Sequence, residues 1–107
     1  MLLLGCDTQD LEQVSTRYKA HRDYASLEVI HRHLRQGMAR TKVEGLMGEA
    51  DYSPIAGQYY YSSDRQETER RGKEQVTVSI GLVVDYRDEQ GGLTEQLQAF
   101  RLGRIGE

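Results

Sequence analysis

Apolar positions along this 107-residue chain change their period partway through, and that change sets out the elements. In "SLEVIHRHLRQG", Leu27, Ile30 and Leu34 recur at helical spacing and predict one amphipathic helix. Ser26 or Asp23 can serve as its N-cap, and Gly37 stands where a left-handed C-cap belongs. Met38 comes next as an apolar plug, and Val43, Leu46 and Met47 mark the inward face of a short second helix. Thr41 and Glu44 have the T-x-x-E spacing of a capping box. Gly48 is expected to end this helix as Gly37 ends the first. The two breaks predict a tight helical hairpin with both stripes turned toward the C-terminal half of the chain. A DNA-binding helix-turn-helix is disfavoured, because the second helix is short and poor in basic charge for a major groove.

That C-terminal half alternates with a period of two. "GQYYYSSD" puts Tyr59 and Tyr61 on one face of a strand and Tyr60 on the other. In "QVTVSIGLVVDYRD", Val76, Val78, Ile80, Leu82, Val84 and Tyr86 form one side, with Thr77, Ser79, Gly81 and Asp85 on the other. That alternation belongs to an antiparallel strand with one buried and one wet face, and Gly81 suggests a bulge. The intervening "DRQETERRGKE" carries eight charged residues in eleven and predicts a solvated, mobile loop. After "DEQGG", the segment 93–102 fits either a helix or a strand. A third strand is favoured, because the long second strand needs a partner and hairpin connections are short. The expected architecture is α+β: two short N-terminal helices packed on a three-stranded antiparallel β-meander, a two-layer sandwich.

Residues 7–24 are polar, with Leu11, Val14 and Tyr18 at spacings that allow a short helix. A tether with a helical turn or two is the favoured expectation, dividing the chain into an N-terminal 1–25 and a domain 26–104. The chain begins "MLLLGCDTQD", in which Leu3, Leu4 and Gly5 directly precede the single cysteine, Cys6. This resembles the lipobox of bacterial lipoproteins, whose cysteine carries acyl chains after cleavage. Each buried CH₂ of such a chain contributes about 0.8 kcal/mol of membrane affinity. A cleavable leader needs a basic segment and an apolar stretch of about 7 to 15 residues. Only "MLLLG" precedes the cysteine here, so the true start lies upstream of Met1, or the sequence is a trimmed version, or the motif is accidental and Cys6 is a free thiol.

Composition narrows the functional classes. With 14 basic and 17 acidic residues, a formal charge of -3 and no basic block, the chain lacks a field suited to nucleic acid. No apolar run approaches the roughly 18 residues of a membrane span. One cysteine excludes an internal disulfide or a CxxC site. His31 and His33, two apart on a helix, point away from each other and suit no shared metal. No Gly-rich phosphate loop, HExxH or G-x-S-x-G occurs. The paired carboxylates Asp85 with Asp88 and Glu67 with Glu69 fall in loops or on wet faces. Cys6 has its nearest histidine, His21, in polar text fifteen residues on. No catalytic residue, cofactor, metal ligand or small-molecule substrate is expected. The tyrosine trio Tyr59, Tyr60 and Tyr61 is the candidate partner-binding feature, since tyrosine offers large contact area at low entropy cost.

"GMARTKVEGLMGEAD" resembles the signature of the SmpA/OmlA (BamE-like) family of small bacterial lipoproteins, G-M-x-x-x-x-V-x-x-L-x-G-x-P-D ahead of an aromatic strand. The matching positions are Gly37, Met38, Val43, Leu46, Gly48 and Asp51, with Tyr59 to Tyr61 standing for the aromatic strand. Ala39 replaces the Thr or Ser that often comes after the methionine, and Ala50 replaces the proline. The resemblance covers roughly residues 26 to 104. It implies a non-catalytic, periplasm-facing lipoprotein of the cell envelope, anchored to the membrane through lipid on Cys6. Such a chain would act as a scaffold or accessory subunit for an envelope protein partner, in outer-membrane protein assembly or envelope maintenance. Asp7 after the cysteine resembles an inner-membrane retention signal, which leaves inner versus outer membrane open. The alternative expectation is a secreted or periplasmic inhibitor domain of β-lactamase-inhibitor-like architecture, using a concave sheet face rich in aromatics. Oligomeric state is not legible.

Overall fold

The computed structural model describes residues 2–105, with side chains described from Leu11 onward. Among these residues the chain forms three helices, α1 (Leu2–His21), α2 (Tyr24–His33) and α3 (Arg40–Met47). Beyond them come four strands, β1 (Tyr52–Ile55), β2 (Gln58–Arg71), β3 (Glu74–Asp85) and β4 (Ala99–Ile105). They make one antiparallel sheet in the order β1-β2-β3-β4. The fold is α+β as the periodicity indicates, with one strand and one helix more than the pattern predicts.

The extra helix is the stretch expected to be a tether. Its Leu11–Val14–Tyr18 stripe turns inward, and Tyr18 is fully buried with its hydroxyl donating to the Ser62 carbonyl at 2.6 Å. The rest of its docking is polar. Ser15 Oγ donates to the Leu46 carbonyl at 2.7 Å, and Lys19 Nζ to the Gly45 carbonyl at 2.8 Å. Both acceptors belong to the last turn of α3, whose carbonyls have no partner within their own helix. α1 thus supplies the terminal hydrogen bonds that α3 lacks. It ends at Arg22, whose φ of 55° is left-handed and whose N–H returns to the Tyr18 carbonyl.

Asp23 is the N-cap of α2, accepting from Ser26 N–H at 3.1 Å and from Ser26 Oγ at 2.7 Å. The helix ends at Leu34, earlier than the sequence implies. Gly37 lies three residues beyond, at φ 89°, where its N–H reaches the Leu97 carbonyl across a short bridge to the segment before β4. It is a turn residue between chain segments, not the C-cap of α2. The capping box is also absent: α3 starts after Ala39 with no side-chain cap, and Thr41 lies inside the helix. Glu44 is drawn instead to Arg40, one turn earlier, at 2.9 Å. Gly48 does cap α3, at φ 79° with its N–H on the Glu44 carbonyl.

The core joins Tyr18, Leu27, Ile30, Leu34, Val43 and Met47 to Tyr61, Leu82, Val84, Tyr86 and Leu97. Leu46 and Met38 pack at its margin. The row from Val76 to Tyr86 is therefore dry from Ile80 onward, while Val76 and Val78 stay half-exposed. The cause lies in the segment expected to be a loop. β2 and β3 continue through "QETERRGKE" as a paired ribbon to a two-residue turn at Gly72 and Lys73, where Gly72 takes a φ of 64°. Charge made the segment wet without preventing it from pairing. Between Ser62 and Gln66 the register shifts, so residues 63–65 of β2 face Ile80 of β3. That bulge carries Asp64, which receives Tyr24 N–H on its carboxylate and donates its own N–H to the Arg22 carbonyl, tying the sheet to the α1–α2 turn. β1 went unforeseen because four residues containing Pro54 show no usable alternation. Of 93–102, the part from Ala99 is strand as favoured; Leu93 is exposed and Leu97 is a core residue in the loop before it.

Candidate binding site

The tyrosine trio is divided between the two sides of β2, as its alternation requires. Tyr61 is a core residue, 2% exposed. Tyr59 is half-buried on the same side, and Tyr60 is half-buried on the opposite side. The trio therefore does not form one surface but contributes to two.

On the helix side, a groove of about 700 Å³ opens between the end of α3 and the β1–β2 hairpin, with Glu44, Glu49, Asp51, Tyr52, Tyr59 and Tyr61 in its walls. The family-motif residues Gly48 and Asp51 lie at its mouth, whereas Val43 is buried in the core. The groove's charges are largely committed. Arg40 binds Glu44 and donates to Tyr59 Oη at 2.8 Å, with its guanidinium over the rings of Tyr59 and Tyr86. The bond to Glu44 holds the Arg40 guanidinium charged well beyond its ordinary range. Asp51 pairs with Arg22 at 3.1 Å and accepts from Ser62 N–H and Oγ. In the groove's wall, burial pushes Tyr61 up to about 12, with Glu44 adding to the effect. Burial also raises Tyr86, whose hydroxyl finds no hydrogen-bond partner among the described residues.

On the other side of the sheet, a depression of about 300 Å³ is lined by strand residues of β2, β3 and β4, among them Gln58, Tyr60, Val83, Asp85, Ala99 and Arg101. Tyr60 faces Val83 across the β2–β3 ladder, and Val83 faces Arg101 across the β3–β4 ladder. Tyr52, 60% exposed, extends the patch from β1 with its ring 5.7 Å from that of Tyr60. At the rim Arg87 clamps Asp85 through Nε to Oδ1 at 2.9 Å and Nη2 to Oδ2 at 2.6 Å, and this fork lowers the Asp85 pKa. Tyr52 was missed because its strand was missed. Its position directly after Asp51 and two residues before Pro54 was the available signal.

The groups weighed for catalysis are dispersed. Glu69 is taken by Arg71 and Arg104, and Glu67 by Arg65. Asp88 holds the Gln90 and Gly92 N–H groups of its own turn. His31 rests edge-on against Phe100, and His33 is exposed. No group of three or more His, Cys, Asp or Glu that could hold a metal ion occurs among the described residues. Among them, no helix is long and apolar enough to cross a membrane. Cys6 lies in the first part of α1, and its side chain falls outside the described residues.

The geometry defines a small α+β chain offering two open surfaces. Comparison with protein-family models, curated proteins and solved structures finds no match to it.

Proposed function

We propose that this chain is a non-catalytic lipoprotein of the cell envelope, anchored through Cys6 and facing the periplasm. In this reading it serves as a scaffold or accessory subunit that binds an envelope protein, with outer-membrane protein assembly or envelope maintenance as its setting. The architecture is then a two-layer sandwich, the helices on one face of the sheet and the partner on the other. The observation that carries the reading is the patch of Tyr52 and Tyr60 beside the buried Val83, flanked by Gln58 and Arg101. Rigid tyrosines beside an arginine and an adaptable amide are a composition found at protein contact surfaces. The lipobox-like "LLLGC" and the resemblance of "GMARTKVEGLMGEAD" to the SmpA/OmlA family supply the address.

The experiment has two arms. Cells fed a clickable palmitate should label the protein, and Cys6→Ser should abolish the label. A photo-reactive amino acid at position 60 should yield a discrete crosslinked envelope protein, and Arg101→Glu should weaken that crosslink several-fold. An unlabelled wild-type protein removes the lipoprotein reading. The alternative, an inhibitor domain that uses the same aromatic face, is favoured by a crosslink to a soluble periplasmic enzyme with no acyl label.

A further inference from the structure

The sheet has two outer edges, and they differ in kind. β1 is short, its register with β2 is irregular, and Pro54 removes a donor from its middle. Ser53 Oγ further engages the Ile55 and Gln58 carbonyls. Such features blunt an edge against pairing with another strand. β4 is different in length and regularity: "AFRLGRI" is seven residues long, without proline, and its pairing with β3 is regular from Ala99 to Ile105, with a side chain on one edge carbonyl, that of Arg101 on Arg104.

The direction of its backbone groups is set by the ladder. In antiparallel sheets each residue sends its N–H and C=O to the same neighbour, and the side alternates along the strand. Asp51 N–H reaches the Tyr60 carbonyl, so Tyr60 faces β1 while Tyr59 and Tyr61 face β3. Their partners Val84 and Leu82 therefore face β2, which leaves Val83 and Gly81 to bond Arg101 and Gly103 of β4. Phe100, Leu102 and Arg104 consequently send their N–H and C=O groups outward. The Arg101 guanidinium on the Arg104 carbonyl, at 3.1 Å, fits this direction. The side chains of Phe100 and Leu102 lie half-exposed at the same edge, at the margin of the core.

We propose that a second copy of this chain pairs antiparallel with β4, about a two-fold axis through Leu102. The sequence is suited to itself in that register. Leu102 meets its counterpart, Phe100 meets Arg104, and Arg101 meets Gly103, so no arginine faces an arginine. A shift that centred the axis on Arg101 would set like charges directly opposite, which destabilises a pair. Arg104 is paired with Glu69 at 2.8 Å, a carboxylate it shares with Arg71, so its charge toward the approaching copy is offset in part. In the Leu102 register the outward N–H and C=O groups of all three residues are paired, and the two sheets become one. The contact is small, which places it among weak, concentration-dependent dimers. This pairing is independent of lipidation and of the partner on the Tyr60 face.

Sedimentation velocity on the full chain carrying Cys6→Ser tests it. The expected result is a rise from monomer toward dimer with concentration, abolished by Arg104→Pro, which deletes an outward N–H and leaves the β3 bonds in place. A second variant reports the register: Leu102→Cys in the Cys6→Ser background should give a disulfide-linked dimer on mild oxidation, and Arg101→Cys should not. A monomer at every concentration overturns the proposal. So does a dimer that survives Arg104→Pro and forms no Leu102→Cys crosslink.

Discussion

Two buried tyrosines in one core separate what a hydroxyl does from what a ring does. Tyr18 Oη donates to the Ser62 carbonyl and joins α1 to the sheet, whereas Tyr86 Oη is buried without a partner among the described residues. Removing one half of a made bond leaves a partly buried carbonyl short of its partner, at a cost of about 1 kcal/mol. Removing an unpaired hydroxyl costs nothing of that kind. Tyr18→Phe is therefore expected to lower unfolding stability by that amount in urea, and Tyr86→Phe to leave it equal or higher. The opposite order in the two denaturation midpoints would contradict the hydrogen-bond assignment. Neither role could be read from the sequence, because a tyrosine in an alternating or helical pattern shows its ring's side and says nothing of its hydroxyl.

At the scale of elements, β3 depends on one residue without a side chain. A Cβ on Gly81 would run into the Tyr61 carbonyl and approach Ile105 Cδ1 to 2.7 Å. Its backbone φ is ordinary, so the constraint is space alone. Gly81→Ala is expected to cost about 1 to 3 kcal/mol through overpacking, measured as a lower thermal midpoint. The next clamp along β3 is electrostatic. Arg87 lowers the Asp85 pKa, so the pair stabilises the fold above the unfolded carboxylate pKa of about 3.9. That contribution fades as pH falls through the lower folded value. The stability gap between wild type and Asp85→Asn should accordingly be full near neutrality and shrink below about pH 4. A gap that stays constant to the acid end would show that the fork adds nothing through ionisation.

Across the whole molecule, Tyr18, Tyr61 and Tyr86 share one core and all titrate above the ordinary tyrosine range because burial disfavours the phenolate. Groups raised in the folded state contribute stability that is complete below the unfolded pKa of about 10 and is lost as pH climbs toward the folded value. For Tyr61 that window runs from about 10 to about 12. Alkaline unfolding should therefore be cooperative, with the phenolate absorbance of these core tyrosines rising together with the loss of helix signal. Phenolate absorbance that is complete before any helix is lost would mean that these rings are not held dry.

The features that could be read in advance and those that could not divide along a physical line. The alternation of β3 from Ile80 to Val84 and the stripe of Leu27, Ile30 and Leu34 were visible because burial of one face imposes a period on the sequence. The candidate tyrosines were visible as residues, and their separation onto two sides of β2 came from that same period. The docking of α1, the pairing of the charged ribbon and the identity of the helix caps were not visible. Each rests on polar groups meeting over long separations, Ser15 with Leu46 or Asp64 with Tyr24, and such bonds leave no periodic trace. Sequence by itself determined which residues seek the interior. The tertiary structure alone decided which hydrogen-bonding groups are satisfied and which, like those along β4, are left facing out, because satisfaction depends on what stands opposite.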